Sequence, residues 1–324
     1  MELMLQSALA WVVLLVASVA AVEIALPLLA PRLRRAAVEG RLPLVVAFCW
    51  LPFGLATALL AGCYAPWAMA AVGLGYDHCG AHGGHLHLCA RHAREIDLAG
   101  LGWTTLVAAS AWTSIGMCEL GADLRKGRGL VRSLRALSDQ EQGGVAIVDA
   151  DVPWSVTAGL WRPRILVTSA LLSSFDERQR GAVLAHERCH VRERHAMVKL
   201  IAAVGALTFR SSSRHALLGW VALACERRCD EEAAEAIGDR LDVAATLLAT
   251  RRALGDRLPL GVLGLEGSKA SFETRIRGLT GPFASIPPSA GRLAIVVPAL
   301  ASAALLVGHE LHHEIETILS FLVH

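Results

Sequence analysis

The sequence predicts a mostly α-helical membrane protein that crosses the bilayer four times and carries a small inserted α+β domain. Hydrophobic residues make up 54% of its 324 residues, a larger share than in most soluble domains. The excess lies in blocks of roughly the 20 residues that a helix needs to cross a bilayer. Segment 144–168 differs, because short β-branched runs alternate there with Gly and Pro. These observations indicate membrane helices around one segment that contains strands.

Four apolar blocks are candidates for transmembrane helices. The first follows Glu2 rather than a basic start, so we expect an uncleaved span instead of a signal peptide. An alternative for the second block is that it continues toward Gly75. The fourth block is short for a transmembrane span. The blocks are 7–29, 43–62, 98–120 and 293–308. The predicted division of the chain is 1–120 with three transmembrane helices, 121–290 with the inserted domain, and 291–324 with the fourth helix and a short tail.

Basic residues predict the orientation of these spans. They are frequent in 31–42 and after the third block, sparse in loop 76–97, and absent from the tail after the fourth block. Positively charged segments stay in the cytoplasm. We therefore expect a multi-pass protein of the cell membrane with both termini and loop 76–97 outside and 121–290 in the cytoplasm. Two apolar pieces, 200–209 and 216–224, are too short to cross, and they predict a buried or membrane-dipping helical hairpin.

The α+β character rests on three short runs and one helix start. Runs 145–148, 154–157 and 164–168 are β-branched and bounded by Gly and Pro, which is typical of strands. Segment 173–177 contains Ser, Asp and Glu in an order that favours a helix start. The helix that follows runs through Arg178 toward a group of histidines.

That helix carries His186-Glu187-x-x-His190. Residues i and i+4 lie on one helical face, so two imidazoles can meet one metal ion while Glu187 reaches a water molecule beside it. A second copy of the spacing, 309–313, is followed by only eleven residues, whose acids lie on the same short helix. We expect that copy not to form a catalytic site.

A third ligand is expected from the acidic stretch after residue 225. Glu226 can supply a carboxylate oxygen, and Asp230, one turn later, can accept the outer N–H of a ligating histidine. His195 is expected to support the ligands from a helix face. Cys225 and Cys229 leave a structural Cys2His2 zinc site with the two histidines as an alternative.

These residues resemble the BlaR/MecR-type integral-membrane zinc metallopeptidases, gluzincins related to the HtpX and CAAX prenyl endopeptidases. The resemblance rests on 183–192, on Glu226-x-x-Cys229-Asp230, on the strand-like stretch 157–168 and on 271–279. Arg188 departs from the motif, whose middle positions are usually uncharged. A C-terminal sensor domain like that of the β-lactam receptors is expected to be lacking.

The resemblance implies a zincin-like metalloprotease domain in 121–290 that holds Zn²⁺. Two imidazoles and one carboxylate are the expected ligands, and Glu187 is the expected catalytic base. His195, His215 and Arg275 are candidates for stabilising the oxyanion. The strand near 156–160 either pairs with an extended peptide or is an ordinary internal strand. The expected metal ligands are His186, His190 and Glu226.

The expected function is hydrolysis of peptide bonds in a cytoplasmic or membrane protein. By resemblance, the protein substrate is a transcriptional repressor of the winged-helix type, cleaved in signal transduction. The expected partners are this substrate and the lipid bilayer, with no direct nucleic-acid contact. Two alternatives stay open: a quality-control protease for membrane proteins, and a non-catalytic, metal-binding membrane transducer.

Nine of the 13 histidines fall in segments that we place outside. Loop 76–97 contains His82, His85 and His87 between Cys79 and Cys89, which is enough to bind a divalent metal. The alternative is a polar loop that tolerates histidines. The tail 310–323 has apolar residues at helical spacing, which predicts an amphipathic helix on the membrane surface.

Overall fold

The computed structural model describes residues 2–74, 88, 100–136, 138–142, 144–254, 269–281 and 290–323, and these are mostly helical. One four-stranded sheet lies between the fourth and fifth helices. The strands are β1 (Ser138–Gln142), β2 (Val145–Val148), β3 (Ser155–Ala158) and β4 (Arg164–Thr168). The helices are α1 (Glu2–Val38), α2 (Leu42–Cys49), α3 (Leu51–Ala71), α4 (Gly100–Ala136), α5 (Ser169–Ser174), α6 (Glu177–Arg192), α7 (His195–Gly205), α8 (Ser211–Ile237), α9 (Arg240–Leu254), α10 (Lys269–Thr280), α11 (Ala290–Glu310) and α12 (His312–Val323).

Two of the described helices are long and apolar enough to cross a membrane. They are Leu3–Val38 and Leu51–Ala71, and the first contains the predicted span 7–29. The predicted span 43–62 is wrong as one continuous helix, because α2 and α3 are separated at Trp50. Pro52 has no N–H for a bond to the preceding turn, so a new helix begins there. The apolar helix then runs to Ala71, in the direction of the extension toward Gly75.

The third and fourth predicted spans lie in α4 and α11. Neither reaches the length and hydropathy of a span over its described residues, where α11 contributes the shorter apolar stretch Ala299–Glu310. The count of four spans therefore stays a prediction. α3 and α11 are in close contact, because a Cβ at Gly62 would collide with the backbone of Leu305 and Gly308. Small residues at such a crossing are typical of membrane helix pairs.

The sheet has the order β1-β2-β4-β3, with β2 and β4 parallel and the other pairs antiparallel. The three predicted strands are confirmed, and β3 is displaced by one residue from 154–157. β1 was not predicted, because its sequence Ser-Asp-Gln-Glu-Gln has no β-branched or aromatic residue. β3 lies at an edge of the sheet, so the reading of this segment as an internal strand is wrong.

The hairpin of α7 and α8 is buried against the first two helices. Phe209, Leu217 and Val221 share one apolar cluster with Val22 of α1 and Val45 of α2. This matches the buried form of the predicted hairpin. The cluster joins residues on both sides of position 120, so the division into 1–120, 121–290 and 291–324 stays a prediction.

Polar contacts also hold the hairpin against α1 and α4. Glu23 accepts hydrogen bonds from Arg210 N at 2.8 Å and from Ser213 Oγ at 2.6 Å. Arg214 pairs with Glu119 of α4 at 2.5 Å. Each carboxylate thus binds the connection that leads into α8.

The tail forms the predicted amphipathic helix, α12. Its inner face is covered by protein rather than by a lipid surface. Leu319 is fully buried with Leu9 and Ala10 of α1 and Cys63 of α3, and Ile315 packs against the same cluster. Leu311, Ile318 and Phe321 of the tail remain exposed, and the contact of the tail with the membrane surface stays a prediction.

Candidate active site

α6 places the two histidines of the motif one above the other. The helix begins at a capping box, in which the Asp176 side chain accepts from Gln179 N and the Gln179 side chain accepts from Asp176 N. This confirms the predicted helix start in 173–177. The Nε2 atoms of His186 and His190 lie 3.2 Å apart. Arg188, which departs from the family pattern, is exposed and lies outside the lining of the cleft beside the histidines.

α8 brings the predicted third ligand to the same point. Glu226 Oε2 lies 3.3 Å from His186 Nε2, and Glu226 Oε1 lies 3.5 Å from His190 Nε2. Glu226 Oε1 is buried and makes no hydrogen bond with the described residues. Three donor groups from two helices therefore face a common centre.

This arrangement fits a tetrahedral metal ion. Ligand atoms about 2.0–2.1 Å from zinc are separated by roughly 3.3–3.4 Å along each tetrahedral edge. The two imidazole nitrogens are 3.2 Å apart, and one Glu226 oxygen lies 3.3 Å from His186 Nε2 while the other lies 3.5 Å from His190 Nε2, which is close to this spacing. An ion at the centre would also satisfy the unpartnered oxygen of Glu226. The residues present thus fit a divalent zinc-like ion.

Asp230 and Arg275 contact the side chains of this centre. Asp230 is fully buried, and its Oδ1 lies 3.1 Å from His186 Nδ1, as predicted, at an angle outside strict hydrogen-bond geometry. Arg275 donates to both oxygens of Asp230 at 2.7 and 2.9 Å and pairs with Glu226 at 3.1 Å. Such bidentate pairing is the strongest kind of ion pair.

The pKa values of the centre follow from these contacts. Burial lowers the pKa of His186, but its contacts with Asp230 and Glu226 prevail and raise it to about 10. Burial raises the pKa of Asp230, but Arg275 prevails and lowers it to about 2. Burial likewise opposes ionisation of Glu226, yet Arg275 and His190 hold its pKa well below the usual value. Both carboxylates are therefore ionised and available as acceptors or ligands.

His195 supports the second histidine. Its Nδ1 lies 2.9 Å from His190 Nδ1, and its Nε2 lies 3.3 Å from Glu193 Oε2. Burial, together with the charge of His190, lowers the pKa of His195 to about 4, so the ring is neutral. A neutral His195 can accept the Nδ1 proton of His190 and leave His190 Nε2 free for a metal.

Glu187 is held by two hydroxyl groups of β3 that sequence reasoning missed. Ser155 donates to its Oε1 at 2.9 Å, and Thr157 donates to its Oε2 at 2.6 Å. Alternate residues of a strand face the same side, so these two side chains point toward α6 while Val156 and Ala158 are buried. The alternation was visible in the sequence, but the partner of that face was not.

Glu187, the histidines and Glu226 open into one cleft of about 520 Å³. One side is formed by β3 and the loop after it, including the exposed Trp161. Of the three oxyanion candidates, only His195 lines the cleft, and both of its ring nitrogens face protein groups. Arg275 is bound to carboxylates, and His215 donates to Ser211 O at 2.6 Å. The assignment of Arg275 or His215 to the oxyanion has no support in this geometry.

The alternative Cys2His2 site is not formed. Cys225 lies in the apolar cluster, and burial raises its pKa to about 12. Cys229 Sγ does lie within 4.8 Å of donor atoms of both histidines. One cysteine is therefore near the histidines, but the second cysteine that a Cys2His2 site needs is not.

The other predicted metal features lie elsewhere or outside the described residues. His82, His85, His87, Cys79 and Cys89 belong to the undescribed part of loop 76–97. The second copy of the motif, 309–313, is interrupted between α11 and α12, so its histidines do not share one continuous helix. Within the described chain, the groups of residues able to hold a metal all lie near α6 and α8.

Residues 129–279 match the family model of the BlaR1 peptidase M56. The matched segment belongs to the M56 peptidase family. This M56 segment begins in α4 and ends in α10, so it contains the sheet and every site residue described above. Neither a curated protein nor a solved structure matches the chain. The match and the two apolar helices support the prediction of a membrane protein with an M56-type peptidase segment.

Proposed function

We propose that the protein is an integral-membrane zinc metalloendopeptidase. The observation that carries this proposal is the triangle of donors from His186, His190 and Glu226, with Glu187 opening into the same cleft. A structural metal site would be closed and would need no carboxylate beside it. This difference favours an enzyme over a non-catalytic transducer.

In this mechanism the three ligands would hold Zn²⁺, which supplies Lewis acidity toward water and the substrate carbonyl. Glu187 accepts the proton of the attacking water and then donates it to the leaving amine. Ser155 and Thr157 hold its carboxylate in one orientation. Asp230 and His195 hold the two imidazoles in the tautomers that leave both Nε2 atoms free.

The substrate would bind as an extended chain along β3. The outer edge of β3 borders the cleft, so its backbone groups are available for pairing with a peptide. Pairing there would place a peptide along the side of the cleft that contains Glu187. Trp161 offers an apolar surface at the end of this path.

We also propose four spans, with both termini outside and the M56 segment in the cytoplasm. Arg227 Nε donates to Val38 O at 3.1 Å, so the end of α1 and the M56 segment lie together. The basic residues of 31–42 and those after the third block therefore lie on one side, in agreement with positive-inside orientation. The protein would act in the cell membrane.

For the substrate, we propose a cytoplasmic transcriptional repressor, of winged-helix type by resemblance, cleaved in response to a signal. Quality control of membrane proteins is the alternative within the same chemistry. Comparison of cell proteomes with the wild type and the Glu187→Gln variant separates them. One fragment that disappears indicates regulation, whereas many stabilised membrane proteins indicate quality control.

The test of the enzyme itself uses purified full-length protein in detergent. Glu187→Gln should retain zinc at the wild-type stoichiometry and lose proteolysis by at least a hundredfold. Arg188→Gln, which changes the neighbouring exposed residue, should leave both unchanged. Undiminished cleavage by Glu187→Gln would remove the base from the mechanism.

A further inference from the structure

The cleft carries an excess of positive charge that the proposed chemistry does not use. Among the described residues, its lining contains two acidic ones, Glu187 and Glu226, and both lie at the donor centre. Five cationic residues surround them, contributed by α4, the loop after β3, and the junction of α6 and α7. They are Arg128, Arg132, Arg162, Arg194 and Lys199.

The residues of α4 that line the cleft are spaced at a helical repeat. Leu124, Arg128 and Arg132 all line the cleft, and they follow one another at intervals of four residues. Residues at i and i+4 lie on the same helical face. One stripe of α4 therefore forms the wall of the cleft, with one apolar and two cationic side chains.

Three of the cleft arginines have no acidic partner among the described residues. Arg128, Arg132 and Arg194 are exposed and form no ion pair within the described ranges. Other surface arginines do pair, for example Arg228 with Glu193 at 3.0 Å and Arg277 with Glu273 at 3.6 Å. Lys199 is partly engaged, with its Nζ 3.8 Å from Glu226.

Lipid headgroups are a poor match for the α4 stripe. The predicted third span ends at residue 120, and α4 continues as one helix to Ala136. At 1.5 Å per residue, Arg128 and Arg132 lie about 12 and 18 Å further along the helix. The headgroup layer is only about 5–8 Å thick on each side of the hydrocarbon. The two arginines therefore extend beyond it, toward the cleft.

We propose that the cleft recognises an acidic segment of the protein substrate, bound along β3 with its carboxylates on Arg128 and Arg132 of α4 and on Arg194, which precedes α7. This inference rests on the proposed peptidase function and defines its substrate class. Arg pairs with Asp and Glu in a bidentate geometry that a neutral side chain does not reproduce. The apolar residues Leu124 and Trp161 select apolar side chains between the acidic ones.

The test measures binding separately from cleavage. The full-length Glu187→Gln protein is loaded with zinc in phosphatidylcholine nanodiscs and titrated into labelled peptides. Three peptides share one apolar centre and differ only in flanks of Asp and Glu, of Asn and Gln, or of Lys. We expect the acidic peptide to bind about tenfold more tightly than the neutral one, the lysine peptide to bind most weakly, and the preference to decrease at high salt.

Two double variants, each made in the Glu187→Gln protein, locate the effect. Arg128→Gln/Arg132→Gln should weaken the acidic peptide about three- to tenfold and leave the neutral peptide unchanged. Lys126→Gln/Arg277→Gln removes the same charge from exposed positions outside the cleft and should change neither. Zinc content and circular dichroism show that each variant is folded.

Equal affinity for the acidic and neutral peptides would overturn the proposal, and so would equal losses of affinity in the two double variants. A third result against it would be loss of the acidic preference when phosphatidylglycerol replaces part of the phosphatidylcholine. The last would assign the arginines to lipid headgroups. Wild-type protein with the same peptides tests the peptidase itself. If it cleaves none of them while the acidic preference persists, the proposed function fails, and the binding of acidic segments by the cationic cleft stands.

Discussion

At the donor centre, two cationic groups face two carboxylates within the protein interior. His186 and Arg275 carry positive charge in the metal-free protein, and Asp230 and Glu226 carry negative charge. Buried charges are tolerated only when paired. The centre is therefore balanced without an ion, and a metal must displace the proton of His186 to bind.

This competition predicts that zinc affinity depends on pH. Because the pKa of His186 is raised to about 10, its proton opposes zinc at lower pH, and the affinity should rise up to about tenfold per pH unit toward pH 10. For the stability of the metal-free protein, the dependence on pH has the opposite sign. The raised pKa stabilises the fold fully below about pH 6.5, and this contribution is lost as pH rises through about 10.

Zinc titration calorimetry in two buffers of different ionisation enthalpy measures the released proton directly. Release should persist in His215→Ala, which removes an exposed histidine outside the cleft. An affinity that stays constant between about pH 6.5 and 8.5 would contradict a protonated His186.

At the level of elements, the edge strand and the motif helix form one functional unit. β3 turns Val156 and Ala158 into the sheet's apolar cluster and Ser155 and Thr157 toward α6. Thr157 binds both the side chain and, at 3.1 Å, the backbone carbonyl of Glu187. The strand thus orients the base and borders the cleft at the same time.

Thr157→Val should lower kcat about tenfold while zinc content stays the same, because the Glu187 carboxylate loses its shorter hydrogen bond. Steady-state hydrolysis and metal analysis measure the two quantities. Thr157→Ser keeps the hydroxyl and should restore most of kcat. Equal losses in both variants would show that the methyl group, rather than the hydroxyl, is required.

α10 contributes Arg275, whose guanidinium pairs with both Asp230 and Glu226. Arg275→Gln leaves Asp230 without its bidentate partner and should destabilise the protein by about 3–5 kcal/mol. Arg277→Gln, two residues away and 80% exposed, should change stability by no more than about 0.5 kcal/mol. Thermal unfolding of the detergent-solubilised protein compares them. Similar shifts in Tm would exclude the Arg275–Asp230 pair as a main contact of α10.

At the scale of the whole molecule, the M56 segment packs directly against the apolar N-terminal helices. The apolar cluster joins α1 and α2 to α7 and α8, and Glu23 and Glu119 bind the connection that leads into α8. A shift of α1 or α4 would therefore change contacts of the helix that carries Glu226. Packing on this scale connects events at the membrane with the donor centre.

The proposed orientation predicts opposite accessibility for Leu74 and Lys126, which lie before and after the third span. Cysteine replaces each in turn in a protein with Cys79, Cys89 and Cys118 changed to Ser. Both positions are exposed, at 79%. An impermeant maleimide should label Leu74→Cys on intact cells and Lys126→Cys only in inverted vesicles. Labelling of both from one side would contradict a crossing by α4.

The sequence pattern predicted those elements and site residues that depend only on interactions between neighbouring residues in the chain. The capping box at Asp176, the strands β2 and β4, and the spacing of His186 and His190 all depend on residues near one another in the chain. The helix break at Trp50 was not predicted, because block 43–62 is apolar throughout and the new helix start at Pro52 lies within it. β1 was missed because its sequence contains no β-branched or aromatic residue.

By itself, the sequence determined which side chains can bind a metal and which one can act as the base, since helical spacing places His186, Glu187 and His190 without help from the rest of the chain. Only the tertiary structure decided their surroundings. It placed Arg275 on Asp230, Ser155 and Thr157 on Glu187, and a cationic stripe of α4 across the cleft. These contacts join segments that are distant along the chain, and no local periodicity encodes which faces will meet.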